Sequence, residues 1–350
     1  MNFLKQTSTI LVGNKIKKTY LLPLLLALIV VNTTQAEVSN FAALTMENDV
    51  FSGEDDGYTN GIAFDWGYAG FNKFDNSNTP EWIQWMSEDM YISTMPNKRR
   101  AITYQVAQGM VTPTDLEIKT VQLDDVPYAG SLTWKATQYA YDDNVTDTVS
   151  LLLGVVGPLS FADKAQEGVH ELIDATKPEG WDHQLNNEPV FKLGVGRKWR
   201  LLSDNGNGSE MGYDIITLAN AGVGNVSSEA TVGVVFRFGT QLKRTYPAMS
   251  LLPGREVNPM SGAKFGSYYF FTGFGGRYQA NNIIVNGNTF QDNGHNITLE
   301  HGQDMFVIGF SYSFGNWSIL YSFASQSELV KEDIDGRNDF GSMSISWAFD

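Results

Sequence analysis

Along most of the chain, apolar and polar residues alternate in stretches of about ten, the period of a strand whose two faces meet different surroundings. The clearest are Ile62-Phe64-Trp66-Tyr68, Ile102-Tyr104-Val106, Leu132-Trp134-Ala136 and Val149-Leu151-Leu153-Val155. Phe191-Leu193-Val195 runs on to Trp199 and is followed by Tyr213-Ile215 and Ala230-Val232-Val234-Phe236. Tyr268-Phe270, Phe306-Ile308, Trp317-Ile319-Tyr321-Phe323 and Met343-Ile345-Trp347-Phe349 complete the series. With residues 38–48 the pattern predicts an all-β chain, a transmembrane antiparallel β-barrel of about 12 strands, an even number as expected for a single bacterial chain. A globular β-sandwich also alternates, but aromatic strand ends and an amphipathic final strand favour the membrane. One departure stands out: such barrels commonly finish on an aromatic residue, whereas here Asp350 follows Phe349.

With the N-terminus in the periplasm, connections after odd-numbered strands face outward, which places residues 49–57, 111–127 and 157–187 on one extracellular rim. Two periplasmic connections, 69–98 and 239–262, exceed the short turns expected there, and the pattern offers no reason for them. The third outer loop carries a predicted short amphipathic helix. Ser160 is placed to cap it with Asp163 as capping-box partner, and Phe161, Ala165, Val169 and Leu172 repeat at helical spacing as far as about Ala175. Gln166 and His170, one turn apart, fall at the border of the polar face, and Lys177-Pro178 stops the helix. Such a helix can pack on the barrel wall and frame a groove at the lipid surface.

Composition sharpens the compartment. Lys5, Lys15, Lys17 and Lys18 precede an apolar run at 21–31, broken only by Pro23, and Thr34-Gln35-Ala36 supplies small residues for cleavage. That run is about half of what a spanning helix needs, so residues 1–36 are expected to be a cleaved signal peptide and 37–350 the barrel domain. Removing four lysines and no acid moves the formal charge from -15 to about -19, a poor match for nucleic acid but attractive to divalent cations. The chain has no cysteine, which excludes disulfides and thiolate metal sites. Aromatics at 13% and 34 glycines fit an exported barrel.

Three clusters fall on the predicted rim: Glu47-Asn48-Asp49-Val50-Phe51, Tyr58-Thr59-Asn60-Gly61, and His170 with Gly180-Trp181-Asp182-His183-Gln184. Asn48, Asp49 and Thr59 offer hard oxygen ligands suited to Ca2+ rather than zinc. Calcium beside a histidine would make an esterase without a serine nucleophile: the ion polarises the carbonyl and the imidazole deprotonates water. Each part also has a plain reading, since Glu54-Asp55-Asp56-Gly57 is a plausible surface turn and Asn-Gly a hairpin signal. His183 competes with His170 as the base, while His295 and His301 read as solvated loop residues. No G-x-S-x-G elbow is present.

Met46-Glu47-Asn48-Asp49-Val50-Phe51 followed by Tyr58-Thr59-Asn60-Gly61 resembles the opening signature of the outer-membrane lipid A 3'-O-deacylase family. The likeness continues through Tyr128-Ala129-Gly130, Gly157-Pro158, Gln166 and His170. It is dense across Lys177-Pro178-Glu179-Gly180-Trp181-Asp182-His183-Gln184-Leu185-Asn186-Asn187-Glu188-Pro189. The resemblance implies a twelve-stranded outer-membrane hydrolase that removes the 3'-linked acyloxyacyl group of lipid A with calcium, by a mechanism similar to that of secreted phospholipase A2. It carries Asn48, Asp49 and Thr59 over as strand-top site residues and His170 as the general base. Three departures bear on substrate preference. Val126 stands where the family often has Arg, Thr176 stands where some members have Glu, and a basic pair near the second outer loop has no clear counterpart. Readings from other classes are a narrow passive channel and a serine-type outer-membrane phospholipase.

Overall fold

The computed structural model describes residues 39–48, 60–173, 176–204, 211–252, 266–291, 295–332 and 336–349. The expected signal peptide, Asp49, Tyr58, Thr59 and Asp350 all lie outside the described residues. Twelve strands close into a barrel in which every strand pairs antiparallel with its sequence neighbours and β1 pairs with β12. They are β1 (Ser39–Asn48), β2 (Asn60–Phe71), β3 (Arg99–Val111), β4 (Ala129–Tyr141), β5 (Val145–Val156) and β6 (Glu188–Asp204). The second half comprises β7 (Gly212–Gly224), β8 (Ser227–Gly239), β9 (Ser267–Asn282), β10 (Gly302–Phe314), β11 (Trp317–Ser327) and β12 (Arg337–Phe349). Each contains one of the alternating stretches read from the sequence.

The alternation sorts side chains between two solvents. Leu44, Phe64, Phe270, Phe310 and Ile345 stand outward and exposed, while Thr45, Asp65, Gln105 and Ser346 turn inward and are buried. A lipid-facing wall keeps its apolar residues outside, the reverse of a β-sandwich. Phe349 pairs with Asn40 and lies in the outward row with Trp347, so the aromatic finish of the last strand is present one residue before the chain end.

The two long connections lie at the end of the barrel that carries Ser39 and Phe349, and they take opposite sides of the wall. In the first, α1 (Glu81–Ser87) and α2 (Tyr91–Thr94) lie against the outside. Ile83 packs on Phe71, Ile102, Tyr104 and Ala136, and outward-facing Gln138 donates to Ser87 Oγ at 3.0 Å. The second turns inward. α4 (Leu242–Thr245) and the 3-10 turn Tyr246–Ala248 bring Leu242, Tyr246, Met249 and Leu251 onto inward residues Ile216, Val235, Tyr269, Phe271 and Val307. Burial of each such side chain is worth about 1.5–3 kcal/mol.

Charge ties this plug to the wall. Asp214 accepts from Arg200 Nε at 2.7 Å and from Arg237 Nε and Nη2 at 2.8 and 2.7 Å, all within the lumen. Arg237 also donates to Thr245 Oγ1 at 2.7 Å and to the Leu242 carbonyl at 2.6 Å. At the other end, α5 (Ile283–Asn286) caps the mouth, with Ile283 on Ala129, Val156, Leu185 and Val190. Between them lies a cavity of about 480 Å³. A lumen filled at one end is a poor conduit, which counts against the passive-channel reading.

Candidate active site on the outer rim

Four strand ends carry the site. Asn48 ends β1, one residue beyond the pair Glu47↔Gly61, and strand alternation sets it in the outward row with Leu44 and Met46. The outward row continues across the wall through the pairs Asn60↔Met110 and Met110↔Gly130. Glu47, by the same alternation, points into the lumen. The rim site therefore opens toward lipid rather than toward the bore. Asp49 and Thr59 adjoin the described strand ends Asn48 and Asn60 in sequence but lie outside the described residues.

The loop after β5 brings a helix onto this outward row. α3 (Ala162–Ile173) contacts β3 and β4, with a 3-10 turn at Pro158–Ser160 before it. Gln108, outward on β3, donates to the Ser160 carbonyl at 2.6 Å. Gly130 makes this approach possible: a Cβ there would stand 2.2 Å from Ser160 Oγ and 2.4 Å from Ala162 Cβ. Gly157 supplies the turn into the loop at φ 101, a backbone conformation that side chains disfavour.

The helix differs from its sequence reading in three respects. The capping box does not form: Ser160 Oγ accepts only a long bond from Ala162 N at 3.4 Å, and Asp163 Oδ1 is buried without a hydrogen-bond partner among the described residues. Phe161, expected on the apolar face, sits in the left-handed region at φ 57 and is 52% exposed. Among the described side chains of the helix, Ala162, Gln166 and His170, four residues apart, are buried, and Ala165 packs against the same cluster as Ala162. Periodicity counted Gln166 and His170 as polar and so placed them at the border. Their partners come from the next loop, which helix periodicity does not register. The side chains of Val169 and Leu172, and Ala175, lie outside the described residues.

Those partners set the chemistry. His170 is 8% exposed and its Nδ1 lies 2.6 Å from the Thr176 carbonyl oxygen. A carbonyl only accepts, so Nδ1 carries the proton and the lone pair of the neutral ring is on Nε2. The main chain at Thr176 thus orients the ring. Trp181 Nε1 donates to Gln166 Oε1 at 2.7 Å, and its ring lies 5.0 Å from Tyr128 within a cluster of Met110, Leu116 and Ala162. The exposed Lys177 ammonium, 2.8 Å from Glu167, holds that carboxyl below its usual value. These contacts fasten both ends of α3 to neighbouring loops.

The dense motif after the helix is largely scaffold. Leu185 N donates to the Tyr128 carbonyl at 2.9 Å, and Asn187 Oδ1 accepts from Leu159 N at 2.7 Å. Glu188 accepts from Thr289 N at 2.8 Å and from Asn225 Nδ2 at 3.1 Å. His183 is exposed on the 3-10 turn Trp181–His183, away from the buried face of α3. His295 and His301 are not simply solvated: His295 Nδ1 lies 3.2 Å from the Asp125 carbonyl, and His301 stacks on Tyr278 at 5.6 Å. Among the described residues no group of three or more acids and histidines could hold a metal. The candidate donors Asn48, Asp49 and Thr59 are all oxygen donors, a set that fits calcium, and only Asn48 of them is described.

A closed barrel of twelve strands, apolar outside and plugged within, with a loop helix laid on its outer rim, defines an integral outer-membrane protein whose candidate site faces the lipid. The family model described as "Outer membrane protein LpxR" matches residues 21–349, and the chain belongs to that family. LpxR from Salmonella typhimurium shares the fold with a TM-score of 0.72 and 15% identity, over 88% of this chain and 100% of that one. The β domain of the Bordetella autotransporter BrkA reaches a TM-score of 0.43 at 7% identity, over 89% and 98% of the two chains. The translocator domain of NalP from Neisseria meningitidis reaches 0.41 at 11% identity, over 95% and 96%. Among curated protein sequences none matches.

Proposed function

We propose that this outer-membrane protein is a carboxylic ester hydrolase that removes the 3'-linked acyloxyacyl group from lipid A, with His170 as general base and Asn48, Asp49 and Thr59 as calcium ligands. The observation that carries the reading is the orientation of His170. The imidazole is buried on a helix lying on the lipid-facing rim, and its Nδ1 proton is committed to the Thr176 carbonyl. Nε2 is then the atom that takes a proton from water as the water attacks the ester carbonyl. Its proton afterwards passes to the leaving alkoxide. Bound calcium would supply positive charge to the developing oxyanion. Gln166, held by Trp181, shares the buried face of α3 with His170 and fixes the helix against the wall.

The lipid-facing location suits a substrate whose acyl chains stay in the membrane while its ester lies near the surface. Lipid A is such a substrate and resides in the outer leaflet. The domain division expected from the sequence, a signal peptide at 1–36 and the barrel at 37–350, is part of the same proposal. Mass spectra of lipid A from cells expressing the protein, with and without EDTA, test it. The expected result is loss of the 3' acyl group that EDTA abolishes and added calcium restores. Unchanged lipid A with a folded barrel and calcium present would overturn the assignment.

A further inference from the structure

A groove of about 570 Å³ lies on the outer wall beneath the 72–98 connection, at the end of the barrel opposite the rim site. Its floor is made by Trp66, Tyr104 and Trp134, outward residues of three adjacent strands whose rings stack at 5.6 and 6.2 Å. Trp82 of α1 overhangs it, 5.7 Å from Trp134. The lip is polar, with Asn76, Ser77, Thr79 and Glu81.

This floor continues the lipid-facing wall. Phe64, half exposed to lipid, stacks on Trp66 at 5.8 Å, so the apolar surface runs without a break from the membrane into the groove. α1 buries Ile83 and Ser87 on the barrel and leaves Trp82, Trp85 and Met86 exposed, Trp85 at 74%. Tryptophan and methionine outward on a short helix at the periplasmic edge of a barrel mark the membrane interface. An aromatic groove at that depth has hydrocarbon on one side and headgroups on the other. Filling it with water would leave apolar surface hydrated.

The lip also selects a headgroup. The lining has no Lys or Arg to pair with a net anion, and its one charged group is the Glu81 carboxylate. We propose that the groove binds one glycerophospholipid of the periplasmic leaflet that bears an ammonium headgroup, an acyl chain lying over Trp66, Tyr104 and Trp134 and the ammonium toward Glu81.

Native mass spectrometry of the delipidated full chain in detergent, incubated with phosphatidylethanolamine or phosphatidylglycerol of matched acyl chains, tests this. The wild type is expected to retain one phosphatidylethanolamine and little phosphatidylglycerol. Trp82→Ala and Trp134→Ala each lower retention about tenfold, about 1.4 kcal/mol of binding. Glu81→Gln removes the preference between the two headgroups. Phe270→Ala, lipid-facing elsewhere on the wall, retains wild-type binding. A heat-modifiability gel shift confirms that each variant is folded. Equal retention of the two lipids by the wild type, or wild-type retention by both tryptophan variants, overturns the proposal.

Discussion

Replacing Gly130 by alanine puts a methyl group where the barrel wall and the loop helix already touch. The new Cβ would stand 2.2 Å from Ser160 Oγ and 2.4 Å from Ala162 Cβ, with backbone and a buried helix start behind them. Carbon atoms rest about 3.5 Å apart, so the first turn of α3 must retreat by about 1 Å. The helix is short and clamped at Gln166 by Trp181, so the displacement tilts it and carries His170 with it. A 1 Å misplacement of a catalytic group slows the reaction on the order of a hundredfold. Gly130 faces outward, so barrel closure is untouched and the heat-modifiability shift should remain. The assay is a time course of acyl release from lipid A by mass spectrometry. Gly168→Ala is the matched control, because a Cβ there meets nothing within 4 Å. It should leave the rate unchanged while stabilising the helix by about 1 kcal/mol. Wild-type turnover by a folded Gly130→Ala protein would refute the argument that this contact sets the base.

Thr176→Ala should keep near wild-type activity, because the group orienting His170 is the main-chain carbonyl, whereas His170→Gln should abolish turnover in the same assay. A loss with Thr176→Ala comparable to that of His170→Gln would assign the role to the side chain instead. Asp214→Ala removes the carboxylate shared by Arg200 and Arg237 in the buried lumen, and should destabilise the barrel by about 3–5 kcal/mol, read as a lowered urea midpoint. An unchanged midpoint would show that the plug is not held by charge. Replacing residues 240–252 by a short Gly-Ser link should raise single-channel conductance in planar bilayers above the wild-type level; equal conductance would show that the plug is not what closes the bore.

Much of the barrel was legible from the sequence because a strand between lipid and lumen obeys one local rule, alternation, along its whole length. All twelve strands follow from that rule, the outer loop helix from its own helical spacing, and the placement of Asn48 and His170 on one rim from the strand count and the direction of the chain. The sequence also exposed the two oversized periplasmic connections but offered no reason for them. Only the closed barrel decides that Ile83 covers the outside while Leu242 and Tyr246 fill the inside. That choice depends on which wall residues, distant in sequence, stand next to the loop. The same limit applies to the helix face. Periodicity ranks Gln166 and His170 by their own polarity and places them at a border. In the fold, the Trp181 indole reaches Gln166 Oε1 and the Thr176 carbonyl reaches His170 Nδ1, and both residues turn toward the wall. Local hydrophobicity is a property of a segment. Which polar group is buried depends on whether a partner reaches it, and that is settled only when loops remote in the chain meet at the rim.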